Sequence, residues 1–397
     1  MNFYDKKVRR LISVNYSCSD SCYGCDHGDS VSYIGRGRKM RLGKITQATW
    51  NRSVRKPLKK KQCTVGKMAW EQKCAELEQQ IQRTEQSQKT EQDQKTEQDQ
   101  KTEQDQKIET GRMTVWSTAS AGGKNANVGA YAVIKAAGEL ASQKVMAEGV
   151  SIHAILPEQM QEEDVKHLTD TVGELCKKMN LEICQIQVET SSFVTQMVVT
   201  ATAVGEKKST AIREQEMTVA GQELLLCGYA GLEGTLRILD ESEEDLGTRF
   251  VPAFLEKAKL LREKLVLPDQ ILSVKEQVSD IRQIGSGGIL AALWELGEEL
   301  QTGFDIDFSK IALKQETVEI CEFYQLNPYL MTSAGSFLLV TGQSEEVIAC
   351  LAEQGVSAVR LGCMKDQNAR VIKNGEETRY LDRPAADELA RWWKEHA

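Results

Sequence analysis

From Met113 onward, short apolar runs alternate with longer amphipathic stretches, a rhythm that predicts mixed α/β structure. VSIHAILP (150–157) and FVTQMVVTATAVG (193–205) read as strands. Between them, EEDVKHLTDTVGELCKKMN places Val165, Leu168, Val172, Leu175 and Met179 on one helical face. The preceding VGAYAVIKAAGELASQKV is apolar on nearly every turn and reads as a buried helix.

After a polar joint at 206–215, GQELLLCGYAGLEGTLRIL predicts a strand, a glycine-rich turn and a helix start. GSGGILAALWELGEEL predicts a glycine-rich loop and a helix, GFDIDFSKIAL a strand, and SFLLVT and AVRLGCM strands around the helix SEEVIACLAEQG. Two consecutive α/β units result, with a boundary near residue 210.

The pattern fails at Thr84–Lys107, where TEQSQK is followed by three copies of TEQDQK. A period of six matches neither the helical turn nor the heptad, so no apolar stripe forms and a solvated helix or coil is expected.

With 397 residues, 41% of them hydrophobic, the chain can form two or three domains. Its net charge of −8 conceals a basic stretch from Lys6 to Lys61 and an acidic remainder. That stretch lacks the aromatic interleaving of a single-strand binder, so a solvated flank is expected rather than a nucleic-acid partner. No apolar run approaches the roughly 18 residues of a membrane span, and Leu11–Val14 is too short for a signal-peptide core. A cytoplasmic chain with eleven reduced cysteines is the expectation. Cys176, Cys184, Cys227, Cys321 and Cys350 lie in apolar patterns, where a thiol acts as a small hydrophobe.

Candidate chemistry is sparse. Cys18, Cys22, Cys25 and His27 have a spacing that could hold zinc or an iron cluster, as a site separate from the rest. The alternative is a disordered extension over 1–39, with Met40 a second possible start of translation. Gly228, Gly231 and Gly234, and likewise Gly285, Gly287 and Gly288, stand at strand-to-helix turns. Such turns can offer backbone N–H groups to phosphate, or can need glycine for steric reasons alone. His153, in an apolar strand, reads as a core histidine, and no hydrolase triad is evident.

Several segments in order resemble the PurM/HypE superfamily of AIR synthase-related proteins. They are MRLGKITQATWNRSV, GELAS with AILPEQMQEED, GQELLLCGYAGLEGT, GSGGILAALWELGEE, GFDIDFSKIAL, ICEFYQLNPYLMTSAGSFLLVTG and GVSAVRLGCM. The resemblance implies a two-domain α/β (α+β) PurM-like fold. Strands of the N-terminal domain would join a second subunit's in a barrel, making a homodimer, and a C-terminal α/β domain would pack beside them. It divides the chain into an extension (1–39), the start of the N-terminal domain (40–83), the repeat linker (84–112) and the N-terminal domain proper (113–210). The C-terminal domain (211–382) and a helical tail (383–397) follow. Active members of the family bind Mg-ATP between the domains and phosphorylate an amide or carbamoyl oxygen, as in hydrogenase maturation.

The family's motifs are altered in this sequence. Glu71-Gln72-Lys73-Cys74-Ala75 places an ammonium where the resemblance implies a metal carboxylate, and Ser117–Ser120 lacks an expected Asp. Gly138-Glu139-Leu140-Ala141 keeps a longer carboxylate but loses an amide. In Gln185–Glu189 only Glu189 survives, and Gln283–Gly288 keeps its glycines without its polar anchors. The implied cofactor positions are thus Lys73, Glu139, Glu189 and the six glycines, with Glu139 and Glu189 as metal ligands. HypE carries its carbamoyl group on a terminal cysteine, whereas this chain ends in WWKEHA. The expectation is a degenerate member acting as a dimeric ligand- or partner-binding protein without cofactor. The alternative is an ATP- and magnesium-dependent enzyme in which Lys73 contacts phosphate directly.

Overall fold

The computed structural model describes residues 43–44, 47–62, 112–208 and 219–396. The Cys18–His27 cluster, Lys73, the hexapeptide repeat and the expected boundary near 210 lie outside the described residues.

The first unit is a five-stranded sheet in the order β1-β4-β3-β5-β2, formed by β1 (Gly43–Lys44), β2 (Arg112–Gly123), β3 (Gly149–Leu156), β4 (Glu182–Thr190) and β5 (Met197–Lys208). Only β3 and β4 run parallel; β2 and β5 pair antiparallel in continuous register from Arg112↔Lys208 to Gly123↔Met197. A helical run, α1, passes from Gln47–Trp50 through Asn51–Arg55 to Lys56–Lys60. With α2 (Val128–Ser142) and α3 (Glu162–Lys178) it covers one face of the sheet, and the three helices share its apolar core.

Each helix follows from its sequence. In α3, Val165, Leu168, Val172 and Cys176 are buried at helical spacing. The Gln161 N–H donates to Asp164 Oδ2 at 2.7 Å, and acids in the first turn and lysines in the last suit the helix dipole. In α2 the apolar residues surround the axis because the helix is covered on two sides: by the sheet, and by the second unit through its C-terminal half.

The second unit is a seven-stranded sheet in the order β12-β11-β8-β10-β6-β9-β7, with strands β6 (Glu223–Cys227), β7 (Asp280–Gln283), β8 (Gly303–Asp307), β9 (Phe337–Thr341), β10 (Ala358–Lys365), β11 (Arg370–Asn374) and β12 (Glu377–Tyr380). β9 is buried along its whole length, as a central strand covered on both faces should be. Helices α4 (Leu232–Glu241) and α5 (Gly288–Glu299) follow β6 and β7 directly. Further along are α6 (Gln315–Phe323), α7 (Ser344–Glu353) and the terminal α8 (Glu388–His396). Leu232, Leu236, Leu261, Leu265, Leu267 and Ala334 of this unit enter the core of the first, and Ala141 of α2 enters a core of the second, so the two halves share apolar contacts.

Three expectations need correction. The strand expected over 193–205 begins at Met197, because the Ser191 hydroxyl takes the Phe193 N–H in a local turn. The strand expected over GFDIDFSKIAL ends at Asp307, whose side chain accepts from the N–H and hydroxyl of Ser309 and starts a 3-10 turn. His153 is not in the core. Its strand buries Val150, Ile152, Ala154 and Leu156, which places His153 on the opposite, outer face with its side chain 43% exposed.

Candidate functional site

The implied site residues fall into three separate places. Glu139 lies on the exposed side of α2, where its carboxylate accepts from Gln283 Nε2 at 2.9 Å. Gln283 ends β7 and is 5% exposed; the same amide nitrogen donates to the Lys135 carbonyl at 3.0 Å, and its backbone N–H donates to Ser142 Oγ. Gly138 makes this approach possible, since a Cβ there would overlap the Gln283 amide. Two positions matched to separate family motifs, 144 residues apart, are therefore in contact.

Glu189 lies on the outer face of the first sheet, opposite the helices. It accepts from Gln187 Nε2 and stands 3.7 Å from His153 Nε2. Hydroxyl pairs Ser120–Thr200 and Thr118–Thr202, each at 2.9 Å, extend this polar face. Because α2 covers the other face, Glu139 and Glu189 do not share a cation within one chain. Among the described residues no group of three or more His, Cys, Asp or Glu is placed to hold a metal ion. As placed within one chain, these two carboxylates do not converge on one magnesium ion.

Both glycine loops are internally bonded. At the first, the N–H groups of Gly228, Tyr229, Ala230 and Gly231 donate to Ser357 O, Ser336 Oγ, Ala312 O and Ser333 Oγ. Gly228 and Gly231 have φ of +88° and +70°, and a Cβ at Gly234 would overlap Met331. At the second loop, Asp387 Oδ2 accepts from the Gly287 N–H at 2.6 Å, while its Oδ1 accepts from Leu389 and Ala390 at the start of α8. One carboxylate therefore caps α5 and α8 together, at the position where a helix N-terminus would receive an anion. Burial pushes the Asp387 carboxyl above its usual range despite these bonds. A groove of about 700 Å³ opens beside it, lined by Arg282, Ser286, Trp294 and Arg383 among others.

The densest charge cluster was not legible in the sequence. Glu233, fully buried in the first turn of α4, meets Lys135 of α2 at 2.8 Å and Arg237 at 3.2 Å. It also accepts from Thr332 Oγ1 and the Ala334 N–H. Burial alone would raise its pKa, but Lys135, Arg237 and these hydrogen bonds outweigh it and hold the carboxyl below the usual range. Arg237 continues to the Gly122 carbonyl and lies 4.4 Å from the Trp393 ring centroid. The i,i+4 spacing of Glu233 and Arg237 was a visible signal of a pair. Its burial against α2 depends on the tertiary fold and was not. Asp387 likewise reaches a partner 100 residues away, which is set only by the fold.

Residues 219–373 match the family of the AIR synthase related protein, C-terminal domain. A Methanocaldococcus jannaschii protein named for hydrogenase expression and formation is 22% identical over 271 residues, covering 67% of this chain and 78% of that protein. These matches support the resemblance of the chain to the PurM/HypE superfamily. The PurM/HypE fold also appears in the crystal structure of HypE, a hydrogenase maturation protein of E. coli, with TM-score 0.58 and 21% identity over 73% of this chain and 92% of that one. A HypE solved in complex with ATP gives TM-score 0.54 and 16% identity over 73% and 89%. The expectation of a mixed α/β, PurM-like fold therefore holds. No helix among the described residues is long and apolar enough to cross a membrane.

Proposed function

We propose that this PurM/HypE-superfamily chain works as a dimeric ligand- or partner-binding protein that has lost efficient Mg-ATP catalysis. The observation that carries the reading is the Gln283–Glu139 hydrogen bond. The family resemblance implies polar anchors for nucleotide and metal at these two positions. Here a neutral amide engages the carboxylate and ties it to β7. A magnesium ion competing for Glu139 would have to displace that amide.

The Asp387 cap supports the same reading, because triphosphate approaching the Gly287 N–H would meet a carboxylate already there. The groove beside it supplies a surface for a small ligand. The outer face of the first sheet, with Trp116 67% exposed, suits coverage by a second copy of the chain.

One HypE among the structural relatives was solved with ATP, and an enzyme that phosphorylates an amide or carbamoyl oxygen is the opposing reading. Steady-state phosphate release in Mg-ATP separates them. The binding-protein reading expects no turnover above that of Glu139→Ala. Turnover abolished by Glu139→Ala would support the enzyme. Light scattering checks the dimer, since a single-chain mass at micromolar concentration would remove that part of the proposal.

A further inference from the structure

Between Asp29 and Glu71 the sequence has twelve Lys or Arg residues and no acidic one. Within it, α1 is held to the first unit by its own ion pairs: Arg52 meets Glu162 at 2.9 Å, and Lys61, just after the helix, pairs with Glu174. Val54 and Leu58 are buried. The opposite side presents Arg55, Lys56, Lys59 and Lys60, all exposed and without a carboxylate partner among the described residues. Positions 55 and 59, and 56 and 60, are i,i+4 neighbours about 6 Å apart along the axis, so the four cations form one patch.

We propose that this face of α1 binds the phosphate backbone of duplex nucleic acid without sequence specificity. Lysine is depleted at protein–protein interfaces, which rely on apolar or aromatic anchors, and this face has none. A membrane-surface helix would likewise need exposed apolar residues. Clustered, fully hydrated cations on a chain of net charge −8 instead match the residues that neutralise phosphates. With no aromatic residue on the face, stacking on unpaired bases has no platform, which favours duplex over single strand. Four of these twelve charges are gathered on one anchored surface.

The test is binding of the full chain to a labelled 20-base-pair DNA duplex across a salt series. It is compared with Arg55→Gln/Lys56→Gln/Lys59→Gln/Lys60→Gln, with circular dichroism to check folding. Four lost phosphate contacts should lower the magnitude of the log K against log salt slope by about 3 to 4. An unchanged slope in the folded quadruple variant overturns the proposal. So does absence of duplex binding at 50 mM salt, or binding to phosphatidylserine vesicles in preference to the duplex.

Discussion

The Gln283 side-chain amide donates to Glu139 at 2.9 Å and to the Lys135 carbonyl at 3.0 Å, joining the edge strand β7 to the helix α2. One nearly buried side chain thus bridges the two halves and engages Glu139.

Gln283→Ala removes packing and the amide's hydrogen bonds to Glu139 and the Lys135 carbonyl, and should lower stability by about 2 to 3 kcal/mol in urea unfolding. Gln283→Glu should cost more at pH 7 than at pH 4, since two carboxylates would then share the contact. Equal loss at both pH values would show that the amide is not held against Glu139.

Glu233 contributes to the acid limb of stability. Its folded pKa lies below the ordinary value, so its contribution is present above pH about 4.5 and is lost as pH falls through the folded pKa. Glu233→Gln leaves Lys135 and Arg237 facing a neutral group in a buried site, and should cost about 3 to 5 kcal/mol at pH 7. The difference from wild type should shrink below pH 4. A pH-independent difference would remove the buried pair from the account.

The glycines of the second loop separate by geometry. Gly288 has φ of +68°, and a Cβ there would lie 2.7 Å from Met331 N, so Gly288→Ala should cost about 3 kcal/mol or more. A Cβ at Gly285 meets nothing within 4 Å, and Gly285→Ala should change stability by less than about 0.5 kcal/mol. Thermal melts of the two variants measure the contrast. Equal effects would mean that the loop is not held as described.

The architecture was largely legible because β6, β9, α2 and α3 carry strong periodic or continuous apolar patterns. β2 and β4 were read only through family motifs. In β2, the positions facing the helices include Ala119 and Ala121, small because α2 with its alanines lies close, so the apolar alternation is faint. His153 was assigned the right strand and the wrong face: in an apolar run, one residue of phase decides inside or outside. At the site, the altered motifs were visible in the sequence. What replaced them was not, because Gln283–Glu139, Asp387–Gly287 and Glu233–Lys135 each join residues about 100 or more positions apart.

The central claim is that Glu139 and the glycine loops are engaged by the protein itself rather than arranged for magnesium and triphosphate. Calorimetric titration of the full chain with Mg-ATP tests it directly. The account expects no saturable heat up to millimolar nucleotide. Micromolar binding that disappears in Glu139→Ala would contradict it.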